Sequence, residues 1–228
     1  MVPMVHGPRL VLLGRQGSGK GTQGMRLAAH LGTEHLSTGA ILRGEVERHT
    51  PLGRRVERFL HQGRLVPDEL MLGVVEAALR DPDVARRGYL LDGFPRTKRQ
   101  ALAFLEMVGP RGLDAALELD VPLAEVQRRL EARRVCRRCE TPTTAPAGEE
   151  SVVCRVCGGT AVRRADDTPD AIERRLAAYE AEAGPLLRLC DERGLLVRID
   201  SVGAPDEVFA RILDALRPVL WGTGEAVG

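Results

Sequence analysis

The sequence contains few lysines and few aromatic residues, and it has almost no net charge. Only two of its 33 basic residues are lysine, and its formal net charge is +1. One Trp, two Tyr and four Phe offer few side chains on which single-stranded nucleic acid bases could stack. A near-neutral chain also lacks the general attraction to phosphate backbones or anionic membranes that a basic protein has. These features predict no nucleic-acid partner and no membrane partner.

Long apolar runs are absent as well. No stretch approaches the roughly 18 consecutive apolar residues of a transmembrane helix. The first residues lack a basic segment followed by an apolar run, so we expect no secretory signal. With 228 residues and 43% hydrophobic content, the chain can bury a substantial core. We therefore expect a cytoplasmic protein with one main domain that carries insertions.

One of the two lysines, Lys20, stands in the glycine-rich run 14–22, Gly-Arg-Gln-Gly-Ser-Gly-Lys-Gly-Thr. The run follows an apolar segment at 10–13, typical of a buried strand, and precedes a helical pattern over 23–31. A strand, a glycine loop, a lysine and a helix bind phosphate, because backbone N–H groups and the helix dipole converge on the anion. A glycine loop alone could be only a tight turn. With Lys20, whose compact ammonium fits against β- and γ-phosphates, the run predicts a phosphate site.

Four of the five cysteines form two Cys-x2-Cys pairs. Cys136 and Cys139 form one pair and Cys154 and Cys157 the other, with fourteen residues between the pairs. In a cytosolic chain such pairs favour zinc over disulfides, and four thiolates can fill a tetrahedral site. Four cysteine ligands leave no open coordination position, so the predicted Zn²⁺ is structural and not catalytic. Cys190 lies in an apolar segment and is expected to be a small buried side chain.

Apolar strands that alternate with helical patterns predict an α/β fold. The short apolar runs that suit a parallel sheet, covered by helices on both faces, lie at 10–13, 89–91, 116–119 and 196–199. Thr168 and Pro169 predict a helix N-cap and a first helical position, and the helical pattern continues over 171–189. An apolar stripe for core packing is formed in the last helix by Val208, Ile212 and Leu216. The glycine-rich end, 221–228, is expected to be frayed.

Gly21 follows Lys20 where phosphate loops usually carry a Ser or Thr that binds Mg²⁺. The resulting string Lys-Gly-Thr-Gln, over 20–23, resembles the adenylate kinases. Further segments similar to motifs of this family occur in family order at 37–43 (Ser-Thr-Gly-Ala-Ile-Leu-Arg), 63–68 (Gly-Arg-Leu-Val-Pro-Asp), 91–96 (Leu-Asp-Gly-Phe-Pro-Arg) with Gln100, 120–122 (Asp-Val-Pro), Arg129, Arg133, 164–167 (Arg-Ala-Asp-Asp) and Arg175. The resemblance spans about residues 9 to 213, which is nearly the whole chain.

The resemblance implies a core of the P-loop NTPase type with two insertions. The core is a parallel sheet with helices on both faces, and it comprises residues 1–36, 67–131 and 168–228. A small helical flap that binds the nucleoside monophosphate (NMP) comprises 37–66, and a zinc-ribbon-like lid over the triphosphate comprises 132–167. Closing both insertions would exclude water, which could otherwise accept the phosphoryl group. Zinc would give the lid the rigidity that its few apolar residues do not supply.

The resemblance also implies an activity. Adenylate kinases are nucleoside monophosphate kinases that transfer the γ-phosphoryl group of ATP reversibly to AMP, giving two ADP, with Mg²⁺ as cofactor. Such transfer requires alignment and cations around a spread negative charge, so no protein nucleophile is needed. The implied partners are the small nucleotides ATP, AMP and ADP, and the implied role is adenine nucleotide homeostasis. The implied oligomeric state is a monomer.

The site residues of the family carry over onto matching positions of this chain. The implied ATP-binding residues are Gly17, Ser18, Gly19, Lys20, Gly21, Thr22, Arg129, Arg133, Pro142, Thr143 and Gly203. The implied AMP-binding residues are Thr38, Arg43, Arg64, Leu65, Val66, Gly93, Phe94, Pro95, Arg96, Gln100, Arg164 and Arg175. The implied catalytic residues are Lys20, Asp92, Arg96, Arg129, Arg164 and Arg175. Asp92 would orient the hydrated Mg²⁺, and Gln100 suits the paired donor and acceptor edge of adenine.

Three positions depart from the family pattern. Gln16 stands where these loops usually carry proline, which removes a fixed φ angle and is expected to soften the loop. Ala40 replaces the usual aspartate and so deletes an acceptor for Mg²⁺-bound water. The lid segment 140–144 carries threonines where zinc-bearing relatives usually have Tyr-His, so stacking on the donor base is expected to be lost.

Other functions stay open at this stage. Within the family, the chain could be a UMP or CMP kinase or an AMP kinase that uses GTP, although Thr38 and Gln100 favour AMP. From a different class, the cysteine pairs and the arginines could form a nucleic-acid-binding zinc module, but the few aromatic residues argue against it. A folded nucleotide binder that lost catalysis through Gln16 and Ala40 is a third alternative. The intact Lys20 and the set of arginines argue against that alternative.

Restoring the missing carboxylate tests the consequence of Ala40. If this residue weakens the orientation of Mg²⁺, the Ala40→Asp variant should turn over faster than the parent when Mg²⁺ is scarce. The two proteins should converge at saturating Mg²⁺, because the metal site is then filled in both. Initial rates across a Mg²⁺ titration measure the difference. An unchanged Mg²⁺ dependence would show that Ala40 does not weaken the orientation of the metal.

Overall fold

The computed structural model describes residues 7–110 and 112–221. Within these residues the strands are β1 (Arg9–Leu13), β2 (Glu34–Ser37), β3 (Tyr89–Asp92), β4 (Ala115–Asp120), β5 (Arg133–Cys136), β6 (Pro142–Thr144), β7 (Ser151–Val153), β8 (Thr160–Val162) and β9 (Leu196–Asp200). The helices are α1 (Lys20–Leu31), α2 (Thr38–Glu47), α3 (Pro51–His61), α4 (Asp68–Leu79), α5 (Pro82–Arg87), α6 (Lys98–Val108), α7 (Leu123–Ala132), α8 (Pro169–Glu192) and α9 (Pro205–Trp221). Strands and helices alternate along most of the chain, as in an α/β fold.

Five strands form a parallel central sheet in the order β2-β3-β1-β4-β9. The order reverses beside β1, since β2 and β3 lie on one side of it and β4 and β9 on the other. In open α/β sheets, ligands bind in the crevice outside the carboxyl ends of the strands at such a reversal. The chain leaves β1 at Gly14, so the fold puts the start of the predicted phosphate loop at this crevice.

The four strands predicted from apolar runs are confirmed, each within one residue at either end. The edge strand β2 was not predicted. Its sequence, Glu-His-Leu-Ser, has Leu36 as its only aliphatic residue, and all four residues are half-buried. An edge strand pairs on one side only and is covered less than a central strand, so it needs no apolar run to be stable.

Successive residues of β1 face opposite sides of the sheet. Val11 and Leu13 belong to one buried apolar cluster, whereas Leu10 and Leu12 belong to another, which includes residues of α1 and α9. This alternation follows from the two-residue period of a strand. It confirms the prediction of a sheet that is covered on both faces. The predicted stripe of α9 lies in the second cluster and consists of Val208, Ile212 and Leu216, each at most 2% exposed.

The long helix α8 begins as the sequence predicted. The Thr168 hydroxyl accepts a hydrogen bond of 3.2 Å from the backbone N–H of Ala171, and Pro169 is the first helical residue. The helix extends to Glu192, three residues beyond the predicted end. Cys190, on this helix, is buried in the first apolar cluster, which confirms its predicted role as a small core side chain.

Two segments interrupt the alternation of strands and helices. The helices α2 and α3 pack against each other between β2 and α4. The short strands β5 to β8 form a second, antiparallel sheet in the order β6-β5-β8-β7, between α7 and α8. These elements lie within the predicted flap, 37–66, and the predicted lid, 132–167. The boundaries of the two segments as domains stay predictions.

The end of the chain is described only as far as Trp221, the last residue of α9, which is half exposed. The remainder of the segment predicted to be frayed, 222–228, lies outside the described residues. Among the described helices, none has the combined length and apolar character that crossing a membrane requires.

Truncating the stripe of α9 tests the core packing. Ile212 is fully buried, so Ile212→Ala should lower the free energy of unfolding by roughly 2 to 5 kcal/mol, because it removes apolar contacts and leaves a cavity. Val219 on the same helix is 38% exposed, and Val219→Ala is the matched control, expected to change the value by about 0.5 kcal/mol or less. Urea titration followed by circular dichroism measures both, and similar losses in the two variants would contradict the assignment.

Candidate active site

The phosphate loop connects β1 to α1. Gly17 and Gly19 have φ angles of +86° and +104°, a region that glycine adopts more readily than other residues. A Cβ atom on Gly17 would lie 2.9 Å from Leu130 Cγ, so a side chain there would also collide with α7. No side chain caps the start of α1. Its first backbone N–H groups are therefore available to an anion.

Lys20 is the first residue of α1. Its Nζ donates hydrogen bonds of 2.7 Å to the carbonyl oxygens of Gly14 and Arg15. The ammonium therefore connects the end of the loop to its beginning. The pKa of Lys20 is lowered to about 8, mainly by burial and also by Arg96 and Arg133, while the carboxylate of Asp92 opposes the shift. A bound phosphate would supply the negative charge that this buried ammonium needs.

The loop opens into a cleft of about 1050 Å³. Typical small-molecule pockets have volumes of roughly 300 to 1000 Å³, so this cleft is large for a single small ligand. Every residue predicted to bind ATP or AMP or to act on the transferring group lines it, except Ser18 and Phe94. Ser18 is fully buried, and Phe94 packs edge-on against Phe104 in the core at a ring distance of 5.8 Å. Contacts of these two with nucleotides would involve backbone atoms and stay predictions.

The cleft carries a large excess of positive charge. In the described part of the chain, the cationic side chains that line it are Lys20, Arg43, Arg64, Arg96, Arg128, Arg129, Arg133, Arg164 and Arg175. The carboxylates that line it are Asp92, Glu125, Glu140 and Asp166. Nine cations against four anions indicate a site for a polyanion. Arginine suits phosphate oxygens because its guanidinium can donate two parallel hydrogen bonds. Arg137 and Arg138, further along the chain, are exposed and do not line the cleft.

Two of the predicted catalytic arginines are held in an unfavourable environment. The pKa of Arg164 is lowered to about 10, mainly by burial and also by the charges of Arg43 and Arg133. The Nε of Arg164 is buried without a hydrogen-bond partner among the described residues. Burial also lowers the pKa of Arg96, and the nearby Arg175 adds to the effect. A buried donor without an acceptor is costly, so these groups suit a ligand that brings acceptor oxygens.

Two consecutive aspartates before α8 hold the other arginines. Asp167 is 3% exposed, and its two carboxylate oxygens each accept from Arg133 NH2 at 2.6 Å. Arg175 donates to Asp166 at 2.6 Å and to Asp167 at 3.3 Å. Burial by itself would raise the pKa of Asp166, but Arg175 and Arg43 outweigh it and keep the pKa below the usual value. The two arginines are therefore oriented at the cleft wall before any ligand binds.

Arg129 connects α7 to the phosphate loop and to the end of β9. Its guanidinium donates to the carbonyl oxygen of Ser201 at 2.9 Å and to that of Ser18 at 3.4 Å. Its Nε also donates to Glu125 at 2.7 Å. Gly203 follows Ser201 in the chain and lines the same part of the cleft. The planar guanidinium is thus fixed at the wall where the donor base is predicted to lie.

The predicted acceptor side is built around the end of β3. Thr38 is 1% exposed, and its hydroxyl donates to the carbonyl oxygen of Asp92 at 3.1 Å. Gly93 has a φ of +87°, and a Cβ there would lie 2.8 Å from Thr38 Oγ1, so only glycine fits. The amide of Gln100 accepts from the backbone N–H of Arg96 and donates to Asp68, both at 2.8 Å. Contact between Gln100 and adenine stays a prediction, for which the amide keeps one further N–H and one further acceptor position.

Asp92 is a candidate metal-orienting carboxylate. It is 8% exposed, ends β3 beside the phosphate loop, and would be 4.0 Å from a Cβ on Gly21. Within the described residues it forms no ion pair with lysine or arginine, and His35 Nε2 lies 3.8 Å from its Oδ2. Burial lowers the pKa of His35, so this imidazole does not bring a permanent charge. Asp92 thus offers an unshared carboxylate next to the expected phosphates, which fits a hydrated Mg²⁺.

The four paired cysteines come together in the second sheet. Their Sγ atoms all lie within 4.8 Å of one another. The Sγ atoms of Cys136 and Cys157 are 3.4 Å apart, and those of Cys139 and Cys154 are 3.6 Å apart. Zn–S bonds of about 2.3 Å in a tetrahedron separate the sulfurs by roughly 3.8 Å. The cluster therefore fits Zn²⁺, and all five cysteines are free of disulfides.

Comparison with known proteins agrees with the site geometry. A family profile described as adenylate kinase matches residues 12–195. The chain belongs to the adenylate kinase family. An adenylate kinase of Streptomyces avermitilis is 40% identical over 215 residues, which cover 92% of this chain and 97% of that protein. An adenylate kinase of Moorella thermoacetica is 43% identical over 212 residues, which cover 91% of this chain and 97% of that protein. An adenylate kinase of Carboxydothermus hydrogenoformans is 39% identical over 213 residues, which cover 92% of this chain and 99% of that protein.

Family membership confirms the predicted class of enzyme. The protein is a phosphotransferase of the nucleoside monophosphate kinase type, and adenylate kinases use Mg²⁺ together with ATP. The comparisons lend no support to a nucleic-acid-binding zinc module or to a UMP or CMP kinase. The individual roles of the site residues stay predictions from the family motifs.

Some cleft residues were not predicted from the sequence. His35 lies two residues before Ser37 in β2, and residues two apart share a face of a strand, so the strand period could have placed it at the cleft. Tyr179 follows Arg175 by four residues and shares its face of α8. Ser201, at the end of β9, had no such signal, because its position depends on how the last strand joins the sheet.

The lowered pKa of Lys20 predicts that ATP binding is linked to proton uptake. At pH 8 about half of the free enzyme lacks the Lys20 proton, because the pKa is about 8. A bound phosphate raises that pKa, so this group should take up roughly half a proton per ATP at pH 8 and almost none at pH 6.5. Titration calorimetry in buffers of different ionisation enthalpy measures the uptake.

The control for this measurement is Lys20→Arg, since a guanidinium stays protonated throughout this range. Its ATP binding is expected to be weaker, and its proton uptake at pH 8 should be smaller than that of the parent. Equal uptake by the parent at pH 6.5 and pH 8, or equal uptake by parent and variant at pH 8, would rule out Lys20 as the source.

Proposed function

We propose that this protein catalyses reversible, Mg²⁺-dependent transfer of the γ-phosphoryl group of ATP to AMP, giving two ADP. The observation that carries the proposal is the cleft itself, in which nine cationic side chains surround one phosphate loop. Its volume of about 1050 Å³ suits two nucleotides better than one. The relatives named adenylate kinase support ATP and AMP as the pair, and adenine nucleotide homeostasis as the role.

On the donor side, the phosphate loop holds the triphosphate of ATP. The backbone N–H groups from Gly17 to Thr22 and the start of α1 surround the β-phosphate, and Lys20 spans the β- and γ-phosphates as a point charge. Arg129, fixed against Ser201, lies along the base and the phosphates. Pro142 and Thr143 of β6 and the backbone of Gly203 complete the wall around the base. Arg129 is the side chain that stacks on the base of ATP, since the lid segment contains no aromatic residue.

On the acceptor side, AMP lies between the flap and the end of β3. Thr38, Arg43, the segment 64–66, Gly93 and Pro95 line its pocket, with Gln100 at the base. Arg96, Arg164 and Arg175 then close on the transferring group and on the AMP phosphate. Their donors stabilise the equatorial oxygens of the phosphoryl group as negative charge spreads over them. The phosphate of AMP is the nucleophile, so the protein provides alignment and not a covalent intermediate.

Asp92 would orient the hydrated Mg²⁺ beside the nucleotide phosphates. The metal would supply positive charge that neutralises the phosphates. Asp92 holds this position alone in the present chain, since Ala40 lacks the carboxylate that the family usually has. Thr22, two residues after Lys20 on α1, brings a hydroxyl to the lining of the same cleft.

Zn²⁺ would be held by Cys136, Cys139, Cys154 and Cys157 and would stabilise the lid. A lid over residues 132–167 and a flap over residues 37–66 would close on the nucleotides and exclude water. The core would then consist of 1–36, 67–131 and 168–228. We further propose that the protein acts in the cytoplasm as a monomer without nucleic-acid or membrane partners, as the near-neutral charge and the reduced cysteines suggest.

A coupled assay of ADP formation from ATP and AMP tests the function and the metal together. Turnover should require AMP, Mg²⁺ and ATP, and UMP, CMP and GMP should react at least about tenfold more slowly, because their base edges mismatch the adenine pocket.

A strong zinc chelator should lower activity and the melting temperature together, since the lid loses its internal bonds. Added Zn²⁺ should restore both.

The variant Cys190→Ala controls for general thiol effects, because Cys190 is buried far along the chain from the cluster. It should keep its zinc content and its response to the chelator. No turnover with any monophosphate would refute the proposed reaction. Full activity and an unchanged melting temperature after complete zinc removal would refute the structural role of the metal.

A further inference from the structure

Gln16 attaches the phosphate loop to the end of the lid segment. Its Nε2 donates a hydrogen bond of 3.1 Å to Asp167 Oδ1, across 151 positions of sequence. The sequence suggested a softer loop at this position, because glutamine lacks the fixed φ angle of proline. The structure instead gives the loop a side-chain bond that proline could not form.

Asp167 is the common acceptor of three parts of the cleft. Besides Gln16, it accepts from Arg133 through both carboxylate oxygens and from Arg175 at 3.3 Å. Arg133 belongs to β5 and Arg175 to α8, so one buried carboxylate joins the loop, the lid and the long helix. Asp166 and Arg164 are the other charged groups beside it. A carboxylate has about four acceptor positions, so all three donors can be bound at once.

The loop does not need Gln16 in order to be held in place. The neighbouring residue, Arg15, donates to Glu180 on α8 at 2.6 Å and to Asp120 at the end of β4 at 3.3 Å. It also donates to the carbonyl oxygen of Val121 at 3.1 Å. Loss of the Gln16 bond would therefore leave the loop attached and would act mainly on Asp167.

We propose that Gln16 is a positioning residue, which holds Asp167 so that this carboxylate keeps Arg133 and Arg175 directed at the nucleotide phosphates. The inference rests on the proposed function, in which Arg175 binds phosphate, and on the family motifs, which imply that Arg133 binds ATP. As their guanidinium groups turn toward phosphate oxygens, Asp167 loses part of its hydrogen bonding. Phosphate attracts the neutral amide of Gln16 less strongly than it attracts a guanidinium group. The amide therefore stays hydrogen-bonded to Asp167, and this carboxylate keeps the two arginines in position.

The test compares Gln16→Ala and Gln16→Glu with the parent. Glutamate matches glutamine in size but cannot donate from an ionised carboxylate and repels Asp167, so it separates the hydrogen bond from packing. We expect kcat to fall roughly three- to tenfold in Gln16→Ala and at least as much in Gln16→Glu. KM for ATP should change less than kcat, because aligned arginines matter most when charge develops in the transition state. The melting temperature should stay close to that of the parent.

A double-mutant cycle with Asp167 shows whether the two residues act together. Combining Gln16→Ala with Asp167→Ala should give a kcat that departs from the product of the single effects by about threefold or more. Asp167→Asn replaces Asp167→Ala in the cycle if the alanine variant does not fold. Gln127, exposed on α7 and outside the cleft lining, provides the control, and Gln127→Ala should leave kcat unchanged and combine multiplicatively with the Asp167 variants.

Parent-like kcat in both folded Gln16 variants, or a multiplicative cycle with Asp167, would overturn the assignment. If the parent itself did not phosphorylate AMP, the proposed function would fail, and the same cycle measured on the Kd of ATP would decide the role of Gln16. On that scale a departure from multiplicative behaviour of about threefold or more supports the inference, and multiplicative behaviour refutes it.

Discussion

The concentration of positive charge around one desolvated cleft is the constraint on which the structure depends. Burial is the main reason why the pKa values of Lys20, Arg96 and Arg164 are lowered, and repulsion between like charges, which is strong where water is excluded, adds to that cost. Buried Asp166 and Asp167 compensate part of it by pairing with Arg133 and Arg175. The excess that is left favours a polyanionic ligand, because phosphate oxygens supply both the charge and the acceptors that the cleft lacks. Phosphate binding would recover part of the free energy that these buried cations cost.

The central sheet sets the positions of the groups that line this cleft. Parallel pairing aligns the carboxyl ends of neighbouring strands, and Asp92 at the end of β3 is level with Leu12 of β1 and Ser37 of β2. The phosphate loop follows β1, and Thr38 follows β2, so both emerge beside Asp92. The predicted phosphate loop, the candidate metal-orienting carboxylate and the predicted acceptor pocket therefore meet at one edge of the sheet. The core packing behind them, on both faces of the sheet, fixes the spacing.

The second sheet is stabilised in a different way from the central sheet. Its strands have three or four residues each, too short for an independent hydrophobic core. The buried cluster of this segment consists of Cys136, Cys154 and Ala161, with Cys139, Cys157 and Val152 packed beside them. The four clustered thiols are thus most of its core. A segment of this kind would be stiff with a metal bound and could still hinge as a unit at its ends, which would suit the lid that we propose.

The sequence by itself determined the local features of this protein. The apolar runs gave four of the five central strands, the glycine run with Lys20 gave the phosphate loop, the Thr168 cap gave the start of α8, and the cysteine spacing predicted the metal cluster. These features follow from periodicity, backbone freedom and short ligand spacing, which a contiguous segment contains in full. Tertiary structure alone decided which side chains meet across the chain. The bond between Gln16 and Asp167, the attachment of Arg15 to Glu180, the position of His35 beside Asp92 and the edge strand β2 all depend on how distant elements pack. No pattern within a segment encodes such partners, because their distance is set by the folded sheet and not by the separation of residues along the chain.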